Sequence, residues 1–182
     1  MRKLPNQIRS GLRGLPRRQQ RAIQADLNAD FESGAYQSAY ERAAAISPPL
    51  AIQLFEYVMK SLDENQFYLD GARFARQAGK GPITRLLYQR VAQQFYQKQI
   101  DADLNAGKFG DAVSTAREQG GAEAAARIFA ELGAPVWAAD CFLEAAQLAE
   151  KLGDERLADR LWRGTLIDIK KVEYEKVEYF LK

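Results

Sequence analysis

Gly34-Ala-Tyr-Gln-Ser-Ala-Tyr-Glu-Arg-Ala43 (GAYQSAYERA) has an echo further along the chain, Gly107-Lys-Phe-Gly-Asp-Ala-Val-Ser-Thr-Ala116 (GKFGDAVSTA). Gly34 pairs with Gly107, Tyr36 with Phe109, Ala39 with Ala112 and Ala43 with Ala116. Beyond these, Phe55, Ala72, Ala75, Gly79, Leu87 and Tyr88 pair with Phe129, Ala146, Ala149, Gly153, Leu161 and Trp162, one further residue along. The pentapeptide ADLNA also occurs twice, at 25–29 and 102–106, which puts Asn28 and Asn105 in the same local sequence. The second copy runs straight into Gly107, whereas Asp30-Phe31-Glu32-Ser33 separates the first from Gly34. Four residues are about one helical turn, so this insertion lengthens a helix without rotating its buried face.

Apolar residues recur at helical spacing along nearly the whole chain, and no long alternation marks a strand. Gly34, Ser47-Pro48-Pro49, Gly79-Lys80-Gly81-Pro82, Gly107, Gly120-Gly121, Gly133-Ala134-Pro135 and Gly153-Asp154 punctuate the helical segments. Glycine closes a helix because it tolerates positive φ, and proline opens one because the first turn has no use for its missing amide hydrogen. The pattern predicts an all-α fold of about ten helices in two similar halves, 20–92 and 93–166. A final helix runs to 182 on the spacing of Ile169, Val172, Val177 and Phe180. Residues 20–182 form one helical repeat domain behind an N-terminal arm, 1–19.

The stretch from Ala122 to Gly153, AEAAARIFAELGAPVWAADCFLEAAQLAEKLG, resembles a tetratricopeptide repeat. Ala126 and Phe129 stand for the small and aromatic residues of the first helix, Gly133 for the turn, and Ala138, Phe142 and Ala145 for the second helix. CFLEAAQLAEKLGD is similar to repeats of the soluble NSF attachment protein group. The resemblance implies an α-solenoid of helical hairpins whose concave face binds a protein or peptide. The glycines at 34, 107 and 133 depart from that family's regular spacing, and Pro135 stands where an aromatic is usual. In such a solenoid the inner face is lined by polar positions of each hairpin's first helix, which are here Gln24, Asn28, Gln53, Tyr57, Asp101, Asn105, Arg127 and Glu131.

The chemistry that the composition removes is as informative. The chain contains no histidine and one cysteine, Cys141. That takes away the commonest general base, the usual activator of a nucleophile and the means for a zinc or iron–sulfur site within one chain. Cys141, between Asp140 and Phe142 on a helix, reads as a buried space-filling thiol. Gly79-Lys80-Gly81-Pro82-Ile83-Thr84 lacks both the spacing of a phosphate loop and a preceding strand, so it reads as a joint between helices. Asp101/Asp103 and Glu173/Glu175 are two apart and fall on different helix faces, as solvated charges do. No catalytic residue, metal or cofactor is expected. No disulfide, membrane span or secretory signal is legible either, which points to a cytoplasmic protein.

The charge is asymmetric. Arg2, Lys3, Arg9, Arg13, Arg17, Arg18 and Arg21 precede the first acid, Asp26, and the rest of the chain is net acidic. Leu4, Ile8, Leu12 and Leu15 share a helical face beside these cations, while Gly11, Gly14 and Pro16 interrupt it. Three roles compete for the arm: a cap on the end of the repeat stack, an arm for phosphates of nucleic acid or an anionic surface, and a transit peptide. The expected function is a non-enzymatic protein–protein interaction scaffold or adaptor. The alternative is a nucleic-acid-associated or virion-type structural protein that uses the arginines.

Overall fold

The computed structural model describes residues 12, 14–79, 85–163 and 165, and these residues are helical without a strand. In chain order the helices are α1 (Arg17–Glu32), α2 (Tyr36–Ile46), α3 (Pro48–Glu64), α4 (Tyr68–Ala78), α5 (Arg85–Asn105), α6 (Phe109–Glu131) and α7 (Pro135–Lys151). An eighth, α8, begins at 155 and is described to 163. Eight helices among the described residues correct the expectation of about ten. Part of the difference lies in α6, which is counted as one helix although the non-helical backbone at Gly120-Gly121 divides it into two helical stretches across a kink. The expected C-terminal helix, with Tyr174 and Tyr179, lies outside the described residues, as does 80–84 of the joint after Gly79. Consecutive helices pack as neighbours: α1 on α2, α2 on α3, α3 on α4 and α6 on α7.

One turn recurs. Three residues, 33–35, 65–67, 106–108, 132–134 and 152–154, join α1–α2, α3–α4, α5–α6, α6–α7 and α7–α8. Each middle residue is left-handed: Gly34, Gly107, Gly133 and Gly153 lie at φ 70–77°, and Gln66 at 60°. The middle amide donates to a carbonyl three residues back, as Gly34 does to Phe31 at 3.1 Å. The third amide donates five back: Ala35 to Asp30, Phe67 to Leu62, Lys108 to Asp103, Ala134 to Phe129 and Asp154 to Ala149, all at 2.8–3.0 Å. This is the Schellman pairing, which satisfies carbonyls that the helix end would otherwise leave bare. The turn delivers the chain directly into the next helix. Ala35, Phe67, Lys108 and Ala134 share nearly the same backbone angles and give no side-chain cap. Five positions after each left-handed residue stands a small buried one, Ala39, Gly71, Ala112, Ala138 or Ala158, where the second helix meets its neighbour. At Gly71 the reason is explicit: a Cβ there would collide with the Phe95 ring.

The other joints differ in kind. Between α2 and α3 the Ser47 hydroxyl accepts the Leu50 amide at 3.3 Å and Pro48 occupies the first turn, an ordinary capped start. In α6, Gly121 adopts φ 72° and ψ −157°, a conformation closed to other residues.

The described chain forms two compact units, Met1–Phe95 and Tyr96–Lys182, divided within α5. The first has an aromatic core. Phe55 stacks on Tyr88 (centroids 3.8 Å, planes 12° apart) and on Phe74 at 5.4 Å, and Tyr40 meets all three edge-on. Leu27, Leu50, Leu54, Val58 and Leu62 of the same unit are buried with them, each 0–1% exposed. In the second unit alanines recur in every core cluster, and Ala112 and Ala116 pack with Ile100 and Ile128. Ala125, Ala126 and Cys141 pack with the half-buried Phe129 and Phe142. Ala146, Ala149, Ala158 and Leu161 pack with Phe142 and Trp162.

Candidate partner-binding site

α1 opens without an acid in its first turn and without a side-chain cap, Pro16 preceding it. Its first residues are Arg17 and Arg18, with Arg21 one turn on, so they belong to a folded helix. Arg2, Lys3, Arg9 and Arg13 lie outside the described residues. Three guanidiniums therefore sit where the helix dipole is already positive, an arrangement that raises the local potential. None of the three forms an ion pair with a described residue. Two of the three acids of α1 are engaged elsewhere: Arg42 of α2 reaches Asp30 at 3.2 Å and Asp26 at 3.7 Å, and the third, Glu32, ends the helix. The two charge signs separate along one helix.

Arg17, Gln20, Arg21, Gln24 and Asn28 follow helical spacing and line one depression of about 450 Å³, with Leu12 and Ala25 as its apolar part. Gln20 is committed, donating through Nε2 to the Leu15 carbonyl at 2.7 Å. The Gln24 Oε1 is buried and accepts no hydrogen bond from the described residues. An amide oxygen held out of water without a donor is costly, and a ligand that supplies an N–H or O–H relieves that cost.

The eight expected groove residues divide between the units. Gln24, Asn28, Gln53 and Tyr57 fall in the first, and Asp101, Asn105, Arg127 and Glu131 in the second. Only Gln24 and Asn28 share the depression. The Tyr57 ring lies 5.3 Å from Phe31 and works as a packing group. Asp101 accepts from Gln97 at 2.9 Å, and Glu131 is exposed at the end of α6. Arg127 is already held by Glu123 at 2.6 Å, and Glu123 also receives Arg160 at 3.2 Å. Asn28 and Asn105 are not equivalent. Asn105 is the last residue of α5, while Asn28 lies a full turn before the end of α1 at Glu32. The turns set the register, and the inserted Asp30–Ser33 shifts the two copies of ADLNA along their helices.

Gln20 and Leu12 are partners that sequence reasoning did not assign to the groove. Their signal was available, because Gln20 completes the stripe at 17, 20/21, 24 and 28. Two further groups lack such a signal. Arg117 bonds both carboxylate oxygens of Glu144 at 2.8 Å and lies 3.4 Å from the sulfur of Cys141, which is 6% exposed. Asp103, 7% exposed, accepts from Gln99 at 2.9 Å. In the aromatic core the Tyr88 hydroxyl has no hydrogen-bond partner among the described residues. Burial, with the Tyr40 hydroxyl and the Glu56 charge adding to it, pushes this phenol well above the ordinary tyrosine range. It stays protonated and can serve no base. Among the described residues no group of three potential metal ligands comes together, and no helix is long and apolar enough to cross a membrane.

Comparison with known protein families, curated proteins and solved structures finds no match to this chain.

Proposed function

We propose that the chain is a non-enzymatic scaffold of the tetratricopeptide-like α-solenoid kind, which holds a protein or peptide partner on the faces of its helical hairpins. One observation carries this reading: large apolar side chains stay exposed beside four of the five recurrent turns. They are Phe67 (55%), Phe109 (51%), Trp137 (63%) and Leu152 (77%). Trp137 is accompanied by Phe129, 6.1 Å away and stacked on it. A fold that can bury such groups and instead repeats them beside its turns offers a series of apolar anchors, the residues on which protein interfaces most depend. Binding would come from a rigid backbone that positions these anchors in advance, with little ordering cost on the scaffold's side.

The three arginines of α1, unpaired among the described residues, favour the second reading, in which the chain binds phosphates of nucleic acid. Affinity capture with the tagged full chain from its native host, with and without nuclease, separates the two. Stoichiometric protein partners that survive nuclease support the scaffold. Capture that disappears with nuclease, or recovery of nucleic acid alone, overturns it.

A further inference from the structure

The α1 depression pairs two chemistries that a single ligand class meets. Arg17 and Arg21 offer positive charge at its rim that no described residue pairs, and Gln24 Oε1 offers a buried acceptor without a donor. A bare anion satisfies the arginines and leaves Gln24 as it was. An extended peptide with acidic side chains brings carboxylates for the guanidiniums and backbone N–H groups for the amide oxygen. The exposed Ala25, beside the buried Leu12, gives an alternate side chain a place to sit. We infer that this depression is a docking site for an acidic segment of a partner protein, bound in extended form with carboxylates on Arg17 and Arg21 and a main-chain N–H on Gln24. The inference rests on the scaffold reading and gives it a first point of contact.

Charge complementarity selects the occupant. Asp26 and Asp30 are held by Arg42 and Glu32 stands at the far end of α1, so nothing within the helix neutralises its first turns. A nucleic-acid strand would also answer the charge. It has less use for a half-open depression with an apolar part, because contact with a phosphate backbone needs a row of cations and not a pocket.

The test is fluorescence anisotropy on the full chain with a short fluorescein-labelled peptide alternating glutamate and leucine, read at two ionic strengths. The wild type binds it, and binding weakens with salt. The double variant Arg17→Ala/Arg21→Ala, both positions being exposed, keeps its helicity, binds at least about tenfold more weakly and loses much of the salt dependence. Gln24→Leu removes no charge, so it weakens binding about threefold at an unchanged salt dependence, a change that mere electrostatic attraction would not produce. The inference is overturned by no binding at millimolar peptide, by equal affinity in the double variant, or by an unaltered Gln24→Leu. Displacement of the peptide by a single-stranded oligonucleotide at lower concentration also overturns it, in favour of a phosphate-binding site. Capture of the same protein partners by the double variant as by the wild type would overturn this site alone and leave the scaffold standing.

Discussion

The two units use the same turn and different cores. In Met1–Phe95 the helices are held apart and interlocked by rings: Phe55, Phe74, Tyr88 and Tyr40 form one connected stack. In Tyr96–Lys182 buried alanines line the helix contacts beside Ile100, Ile128 and Leu161, and of its rings Tyr96 is buried while Phe129 and Phe142 are only half-buried. The second hairpin of each unit carries the consequence. α3 and α4 have 17 and 11 residues, whereas the part of α6 after Gly121 is short and α7 has 17. The turn has moved along a hairpin of almost constant total length. Small residues permit close approach at many registers, while an aromatic stack admits few, so the alanine-lined unit can move its turn and still bury its faces.

The contrast is most exposed to challenge at Phe55. Phe55→Ala should cost about 3–5 kcal/mol of unfolding free energy, because a 5% exposed ring stacked on two others leaves a cavity its neighbours cannot fill. The reverse change in the second unit, Ala126→Phe, should cost about 1–3 kcal/mol by overpacking. Urea denaturation followed by circular dichroism checks both. Equal, small effects would mean that the two cores are not differently built.

Next in size is the small position after the turn. Gly71→Ala should lose about 1–3 kcal/mol, since its Cβ meets the buried Phe95 ring. Gly110→Ala, in open space within α6, should gain about 0.5–1 kcal/mol by restricting the unfolded chain. If both shift stability in the same direction, the small-residue rule is wrong.

The turn itself gives a smaller, reciprocal pair. Gln66 is left-handed without being glycine, a strain of about 1–2 kcal/mol, against about 0.5–1 kcal/mol for the extra freedom of glycine when unfolded. Gln66→Gly should therefore stabilise by about 0.5 kcal/mol, and Gly133→Gln should destabilise by about 1 kcal/mol. Thermal melts compare the two.

These positions also show how far the sequence could be read. The four glycine turns were legible because glycine is the residue that a left-handed helix end favours. The turn at 65–67 was not, since Gln66 carries no such mark, although Tyr68 followed by Gly71 repeats the pattern of Tyr36 with Ala39 and Phe109 with Ala112. The joint at Gly120-Gly121 was visible as a break, and the non-helical backbone there divides α6 into two stretches, the sharpness of the kink being set by backbone angles that no sequence pattern reports. Of the candidate site, Gln24, Asn28, Arg17 and Arg21 were all singled out, but as members of two separate sets. Only the geometry of α1 brings them to one depression. The claim of Glu123 on Arg127 follows the i,i+4 spacing of opposite charges and could have been read, whereas the reach of Arg160 to the same carboxylate, 37 residues on, could not.

The smallest effect concerns alkali. A buried phenol whose folded pKa is raised contributes stability below the ordinary tyrosine value of 10.0, and that contribution falls as pH rises beyond it, since the unfolded chain releases the proton first. Tyr88→Phe removes an unpartnered hydroxyl, so it should be neutral or slightly stabilising at pH 7 and should flatten the loss of stability above pH 10. Denaturation midpoints across that range, wild type against variant, show it.

Both units are built on one turn, and amide hydrogen exchange reports on that turn without any substitution. Ala35, Phe67, Lys108 and Asp154 are exposed residues outside any helix, so ordinary loop amides at these positions would exchange freely. Each donates to a carbonyl five residues back, as does Ala134. All five amides should therefore be protected well above the level of an unstructured chain. Free exchange at most of them would contradict the shared turn and, with it, the reading of the chain as a run of like hairpins.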